Sequence, residues 1–256
     1  MDPELIRFGS LAIRWYGLFF ALAFLFGTLI MTRIFRLEKK PEKSVDRLLI
    51  YMLLAVVIGA RLGEVLFYNP SFFISHPGEI IKVWKGGLAS HGAVVGILVA
   101  LYIYAKKTPD QSYLWILDRI VIIVALGGGL IRVGNFFNSE ILGAPTNSDW
   151  GVIFSHIDNI PRHPAQLYES LSYFTLFAVL VLLYRKIDTL QKPGLLFGIY
   201  LTGAFTARFF IEFVKRNQVA YEEGWILNTG QLLSIPVVLI GLFALIRALT
   251  GKTKLS

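Results

Sequence analysis

Seven apolar runs alternate with short polar segments along the chain. They cover residues 15–33, 48–68, 88–105, 112–131, 166–184, 195–213 and 230–249. A helix that crosses a bilayer needs about 20 mostly apolar residues, and each run approaches that length. The pattern therefore predicts an all-α fold: a polytopic membrane protein with seven transmembrane helices.

The charges of the connectors predict how these helices are oriented. Basic residues are concentrated in alternate connectors and in the C-terminal tail, and basic loops of membrane proteins face the cytoplasm. These residues are Arg33, Arg36, Lys39, Lys40, Lys43, Arg47, Lys106, Lys107, Arg185, Lys186, Lys192, Lys252 and Lys254. We therefore expect the N-terminus outside and the C-terminus inside, with the connectors 69–87, 132–165 and 214–229 on the extracytoplasmic side.

The 132–165 connector differs from the others in length and composition. It is rich in Gly, Pro, Asn and Asp, so it is too polar to insert and too long for a simple turn. Loops of this length are usually functional or disordered, and the segment DWGVIF at 149–154 favours a small folded cap. We expect residues 1–256 to form one transmembrane catalytic domain, with 132–165 as its extracytoplasmic cap and active-site loop.

Composition supports the membrane assignment and excludes several classes of function. The chain is 55% hydrophobic and 16% charged, against roughly 25% charged residues in soluble domains. The net charge of +8 does not indicate a nucleic-acid partner, because the basic residues lie in short loops between apolar runs. The absence of cysteine excludes disulfides, thiolate metal sites and a cysteine nucleophile. The first apolar run lacks a small-residue cleavage pattern, so we expect no cleavable signal peptide.

Polar residues within the predicted spans fall at one depth, in the outer half of the bilayer. Ionisable residues inside a membrane are costly and mark functional sites by default. Those at this level are Tyr16, Arg61, Glu64, His91, Arg132, Gln166, Tyr168, Glu169, Arg208 and Glu212. We expect them to converge, whereas Asp118 and Arg119 lie in the inner half and are interpreted as structural.

Each of these residues also has a simpler interpretation. Arg132 at a span end is compatible with a snorkelling side chain, and His91 with a histidine that merely begins a helix. The pairs Arg61/Glu64 and Arg208/Glu212 are compatible with local ion pairs that stabilise helix packing. The shared depth of the whole set favours a site over these separate explanations.

The residue types favour binding of a phosphate. The HExxH, GxSxG and Walker motifs of metalloproteases, serine hydrolases and nucleotide-binding proteins are absent from the sequence. Two arginines grip an anionic phosphate in a planar fork, and a phosphate at this depth belongs to a phospholipid. A neutral His91 could accept a proton from an incoming nucleophile. The residues alone thus predict a phospholipid-handling site that opens to the outer leaflet, without defining the reaction.

The segment Leu130–Gly143, LIRVGNFFNSEILG, closely resembles the signature of the bacterial prolipoprotein diacylglyceryl transferases. Five further motifs of that family occur in the same order, so the resemblance spans nearly the whole chain. They are RWYG at 14–17, GARLG at 59–63, SHG at 90–92, RHPAQLYE at 162–169 and the Arg208-x-x-x-Glu212-Phe213 motif. The chain departs from the family at Ile131, where Gly is usual, and at Ala204, where Tyr is usual.

The resemblance implies an enzyme of the bacterial cytoplasmic membrane with its active site toward the outer leaflet. It would transfer the diacylglyceryl group of phosphatidylglycerol to the lipobox cysteine of a prolipoprotein signal peptide, without a metal or cofactor. The implied catalytic residues are His91, Arg132 and Arg208. The implied substrate-binding residues are Tyr16, Arg61, Asn135, Asn138, Glu140, Gly143, Gln166, Tyr168, Glu169 and Glu212.

Two alternatives belong to other classes of protein. A phospholipid or anion transporter could use the same arginines as its binding site, but alternating access predicts polar residues in both leaflets, and here they lie on one side. A structural membrane scaffold would need no buried arginines.

Overall fold

The computed structural model describes residues 3–8, 11–186, 192–216 and 225–251 of the chain. The predicted basic tail with Lys252 and Lys254 lies outside the described residues. The helices are α1 Trp15–Leu37, α2 Lys43–Gly63, α3 Pro70–Ser75, α4 Ser90–Lys107, α5 Tyr113–Phe137, α6 Ala165–Tyr184, α7 Leu195–Ile211 and α8 Thr229–Thr250. Four short strands form two hairpins, β1 Glu4–Phe8 with β2 Leu11–Arg14, and β3 Val152–Ile153 with β4 Pro161–Arg162. The prediction of a helical fold is confirmed.

Six helices in the described residues are long and apolar enough to cross a membrane. They are Trp15–Leu37, Lys43–Tyr68, Tyr113–Phe137, Ala165–Tyr184, Leu195–Val214 and Thr229–Thr250. The second includes a π-helical turn, Glu64–Tyr68, and the fifth a 3₁₀ turn, Glu212–Val214. The chain is therefore a polytopic membrane protein. Helix α4, the predicted third span, is 18 residues long, carries lysines in its last turn and is not among these six.

Every predicted apolar run corresponds to one long helix, although the ends differ. Helix α2 begins at Lys43 rather than 48, and α5 continues to Phe137 rather than 131. Hydropathy marks the depth at which the chain leaves the hydrocarbon, whereas a helix continues as long as its backbone hydrogen bonds do. The predicted ends were wrong for this reason.

The chain forms two compact units, Met31–Leu117 and the combination of Met1–Ile30 with Asp118–Ser256. In the unit Met31–Leu117, helices α2 and α4 cross at glycines. A Cβ on Gly59 would lie 2.5 Å from the Gly92 carbonyl oxygen, and one on Gly96 would lie 2.5 Å from that of Ala55. Small residues permit this close backbone approach, which replaces the hydrophobic effect as a source of helix association in lipid.

In the other unit, α5 to α8 pack around buried polar groups. Asp118 accepts hydrogen bonds from the backbone amides of Gly194 and Phe197 at 2.7 and 2.9 Å, and so caps the start of α7. This contact agrees with the structural interpretation of Asp118. A Cβ on Gly129 would lie 2.5 Å from the Phe174 ring, so α6 approaches α5 closely here. Helix α8 begins with a capping box in which Asn228 and Gln231 bind each other's backbone amides.

Candidate active site

Arg132 lies inside α5, not at its end, because the helix continues to Phe137. The Nε atom of Arg132 lies 2.9 Å from Oε2 of Glu169 in α6, an ion pair without hydrogen-bond alignment. Its Nη1 donates to Oδ1 of Asn135, one turn along α5, at 3.3 Å. The structure thus brings together Arg132 and Asn135 of one motif with Glu169 of another.

Glu140 is held by amide groups at the exit from α5. Its carboxylate accepts hydrogen bonds from the side chains of Asn135 at 2.8 Å and Asn138 at 3.2 Å. Its backbone carbonyl accepts one from Gln166 at 2.5 Å. Ser139 and Ile141, on either side, both have φ near +55°, a conformation that costs energy for residues other than glycine and that often marks functional sites. Asn135, Asn138 and Glu140 therefore form one hydrogen-bonded turn, to which Gln166 of α6 donates.

Tyr16 belongs to the same end of this unit. A Cβ on Gly134 would lie 3.2 Å from the Tyr16 Cα atom, so the glycine allows α1 to approach α5 beside the polar turn. Tyr16, at the start of α1, therefore lies beside this turn, and its role as a site residue stays a prediction.

Arg208 and Glu212 form a second group, at the end of α7. Their side chains approach to 3.5 Å, Nε to Oε1, while the other Glu212 oxygen accepts a hydrogen bond from Asn228 at 3.3 Å. The ion pair that the sequence left open is therefore present. It is incomplete, because the buried Nε of Arg208 has no hydrogen-bond acceptor among the described residues.

Lys215 connects the two groups, and the sequence interpretation missed it. Its ammonium donates to Glu169 at 2.9 Å and to Glu212 at 2.8 Å. The Lys215 side chain is only 3% exposed, as is that of Glu169. The sequence pattern places Lys215 in the polar connector 214–229. A continued helical spacing of Arg208, Glu212 and Lys215 at i, i+4 and i+7 was the signal that could have found it.

The cluster of Arg132, Glu169, Lys215, Glu212 and Arg208, hereafter the charge cluster, has three cations and two carboxylates. One positive charge remains uncompensated in a mostly buried place, which favours an anion. A small pocket beside it lies between α6 and α7 and is lined by Glu169, Tyr173, Ala204, Ala207 and Arg208, together with Ser172 and Ile211. Within the described residues no group of three or more His, Asp or Glu side chains could hold a metal ion.

The 138–164 segment is folded and attached to the charge cluster. The amide of Ala144 donates to the carbonyl of Val214 at 2.9 Å, and Gly143 pairs with Lys215 in an antiparallel bridge. A Cβ on Gly143 would overlap the carbonyl oxygen of His163, which explains the glycine of the motif. The cap segment thus forms backbone hydrogen bonds directly beside the buried lysine.

Side chains complete the cap. Arg162 donates to Asp158 at 2.6 Å, and this hydrogen bond holds the pKa of Asp158 below its usual value. Phe154 is fully buried against Phe136, with ring centroids 5.7 Å apart. His163 lies 3.3 Å from the Tyr168 hydroxyl. Tyr168, a predicted binding residue, therefore lies where the cap meets α6.

Arg61 and His91 belong to the unit Met31–Leu117, and their predicted convergence with the arginines stays a prediction. Arg61 is buried and donates to the backbone carbonyls of a loop, those of Glu79, Ile80, Gly86 and Gly87, at 2.6 to 3.0 Å. It therefore organises that loop, and Glu64 accepts instead from Asn69 at 2.7 Å. His91 is the second residue of α4 and is exposed.

Comparison with known proteins gives a consistent match over nearly the whole chain. The model of the family described as prolipoprotein diacylglyceryl transferase matches residues 3–247. A phosphatidylglycerol--prolipoprotein diacylglyceryl transferase from Chloroherpeton thalassium is 52% identical over 248 residues, covering 97% of this chain and 92% of the relative. One of the same name from Tolumonas auensis is 46% identical, with 99% and 98% covered. One from Bacteroides fragilis is 40% identical, with 94% and 91% covered. The chain belongs to the prolipoprotein diacylglyceryl transferase family.

Proposed function

We propose that the protein transfers the sn-1,2-diacylglyceryl group of phosphatidylglycerol to the thiol of the lipobox cysteine in a prolipoprotein. The relatives named above carry the name of this reaction and are 40 to 52% identical to the chain. The product would be a thioether, glycerol phosphate would leave, and the step would be the first of bacterial lipoprotein maturation. The partners are phosphatidylglycerol, membrane lipids and signal peptides with a lipobox.

The charge cluster carries this proposal. In the transfer, the bond between the glyceryl carbon and the phosphate oxygen breaks, and the oxygen leaves with the electron pair. The leaving phosphate therefore gains negative charge as the carbon–sulfur bond forms. Positive groups that bind the leaving phosphate more strongly in the transition state than in the ground state accelerate such a reaction. Arg132 and Arg208 have this role. The buried Nε of Arg208 has no hydrogen-bond acceptor among the described residues and could donate to the leaving phosphate.

The nucleophile comes from the prolipoprotein. A thiol with a pKa of about 8.5 is mostly protonated at neutral pH and needs a base to become the thiolate. We assign this role to His91, which would take the thiol proton. Tyr16, Asn135, Asn138, Glu140 and Gly143 shape the headgroup pocket on one side, and Gln166, Tyr168, Glu169 and Glu212 complete it. A binding role for Arg61, which lies in the other unit, stays a prediction. No metal or organic cofactor enters this scheme.

The proposed setting is the bacterial inner membrane. We propose that α4 also spans the membrane, which gives seven spans, that the N-terminus is outside and that the cap 132–165 covers an active site open to the outer leaflet. Support comes from the alternating basic connectors and from the concentration of polar residues at one depth. One transmembrane catalytic domain would then comprise residues 1–256.

The test uses purified protein in vesicles that contain radiolabelled phosphatidylglycerol. A lipobox peptide is added, and a peptide with serine in place of the lipobox cysteine is the matched control. We expect labelled thioether on the cysteine peptide only, with one glycerol phosphate released for each thioether formed. Movement of labelled lipid between leaflets without a peptide product would instead identify a transporter and refute the proposed reaction.

A further inference from the structure

We propose that Lys215 is a positioning residue that keeps Arg132 and Arg208 available for the phosphate. This inference rests on the proposed function, because it concerns how the same site binds its lipid. The Lys215 ammonium lies between two carboxylates, at 2.9 Å from Glu169 and 2.8 Å from Glu212. Each of these carboxylates also faces one of the arginines.

The argument begins with competition for the arginines. A carboxylate and a phosphate bind a guanidinium in the same planar geometry. A Glu169 or Glu212 carboxylate without its lysine partner would therefore compete with the substrate phosphate for the arginines. Lys215 binds Oε1 of each carboxylate and so satisfies part of their hydrogen-bonding capacity. Lys215 thus supplies part of the positive charge that Glu169 and Glu212 need, and the arginines supply only the remainder.

Burial makes this competition strong. The side chains of Glu169 and Lys215 are 3% exposed and that of Glu212 is 6% exposed. Water is therefore a poor substitute for the lysine, and a buried carboxylate that loses its partner is costly. Without the lysine, Glu169 is expected to pair more fully with Arg132, and Glu212 with Arg208. The charge cluster would also lose its uncompensated positive charge.

The same residue connects binding to the cap. The backbone of Lys215 forms the bridge with Gly143, and the adjacent residues Val214 and Arg216 pair with Ala144 and Leu142. Residues 142–144 and Lys215 are therefore held in one register. The ammonium has a defined position between the carboxylates because the backbone that carries it is paired.

The experiment measures KM for phosphatidylglycerol and kcat for Lys215→Met, Lys215→Gln and Lys215→Arg in the lipobox-peptide assay. We expect KM to rise about tenfold or more in the two neutral variants, the size of a weakened charge-assisted hydrogen bond. We expect kcat to fall less, and Lys215→Arg to stay close to wild type. Lys107→Met is the control, because Lys107 is an exposed lysine in the last turn of α4, and it should behave as wild type.

The possible outcomes separate this inference from the proposed function. No thioether from the wild-type protein would refute the function itself. With an active wild type, an unchanged KM in a folded Lys215→Gln or Lys215→Met would overturn the positioning role. Failure of both neutral variants to fold, with Lys215→Arg folded, would assign Lys215 to stability and overturn it equally.

Discussion

At the scale of the residue, the two arginines of the site differ in how fully they are satisfied. Arg132 faces Glu169 and donates to Asn135. Arg208 faces Glu212 at 3.5 Å, with a buried Nε that has no acceptor among the described residues. A phosphate bound between them would supply the missing acceptor. The planar guanidinium is then the feature on which activity depends, rather than positive charge alone.

We therefore expect Arg132→Lys and Arg208→Lys each to lower kcat/KM by about 10- to 100-fold, the effect of losing one hydrogen bond to a charged group. Arg185→Lys is the control, because Arg185 is exposed at the end of α6. The assay is thioether formation on a lipobox peptide. Wild-type kcat/KM in both variants would mean that charge alone suffices.

The ion pair between Arg208 and Glu212 allows phosphate binding by Arg208 to be distinguished from mere neutralisation of Glu212. If Arg208 serves only to neutralise Glu212, then Arg208→Gln combined with Glu212→Gln should recover activity, since both charges are removed together. We expect no recovery, because the phosphate would still lack its donor. When Arg132→Lys is added to this double variant, the loss of activity should be much smaller than the sum of the separate losses, as for residues that share one ligand.

Substitution of His91 tests whether this residue is the base that accepts the thiol proton. We expect His91→Gln to lower kcat by about 10²- to 10⁴-fold while KM for phosphatidylglycerol changes little, because the imidazole acts on the thiol and not on the lipid. The measurement is kcat across pH 6–9 in the peptide assay. A variant with near wild-type turnover over that range would identify His91 as a residue that only begins α4.

At the scale of the element, the pairing of residues 142–144 with 214–216 couples the cap to the segment that follows α7. Gly143 lies at the centre of this pairing, against the carbonyl of His163. A methyl group there requires the backbone to move, and the backbone of Lys215 would move with it. The pairing therefore links the backbone of the cap to that of Lys215 in the charge cluster.

We expect Gly143→Ala to reduce kcat/KM at least about tenfold and to lower the melting temperature by a few degrees, since a buried overlap costs roughly 1–3 kcal/mol. Gly78→Ala is the matched control, because nothing lies within 4 Å of a Cβ at that position. Both are measured by thermal unfolding in detergent and by the peptide assay. Equal kcat/KM and melting temperature of the two variants would show that the backbone at residues 142–144 tolerates displacement.

At the scale of the whole molecule, orientation in the membrane decides which substrates can reach the site. Alternating basic connectors predict that the cap is extracytoplasmic. The natural chain contains no cysteine, so single cysteines can report each connector without background.

We expect Ser148→Cys, in the exposed part of the cap, to react with an impermeant thiol reagent in intact cells. Pro109→Cys, exposed in the connector between α4 and α5, should react only after lysis. Both positions should react once the membrane is opened. The reverse pattern would place the cap in the cytoplasm and would contradict the proposed orientation.

The sequence by itself determined the helical membrane architecture and most residues of the candidate site. Apolar runs are a local property, because the bilayer acts on each segment separately, so seven helices could be located from hydropathy. Motifs such as Arg132-x-Gly-Asn and Arg208-x-x-x-Glu212 identified side chains that the structure brings together within one unit.

Only the tertiary structure decided how these residues are connected. Lys215 lies 46 positions from Glu169 in the chain, and no local pattern relates a loop lysine to a carboxylate in another helix. Arg61 was selected for its depth, and only the structure shows that it donates to backbone carbonyls of the 79–87 loop. Depth in the membrane follows from local transfer free energy, whereas the partner of a buried charge depends on which segments fold against it.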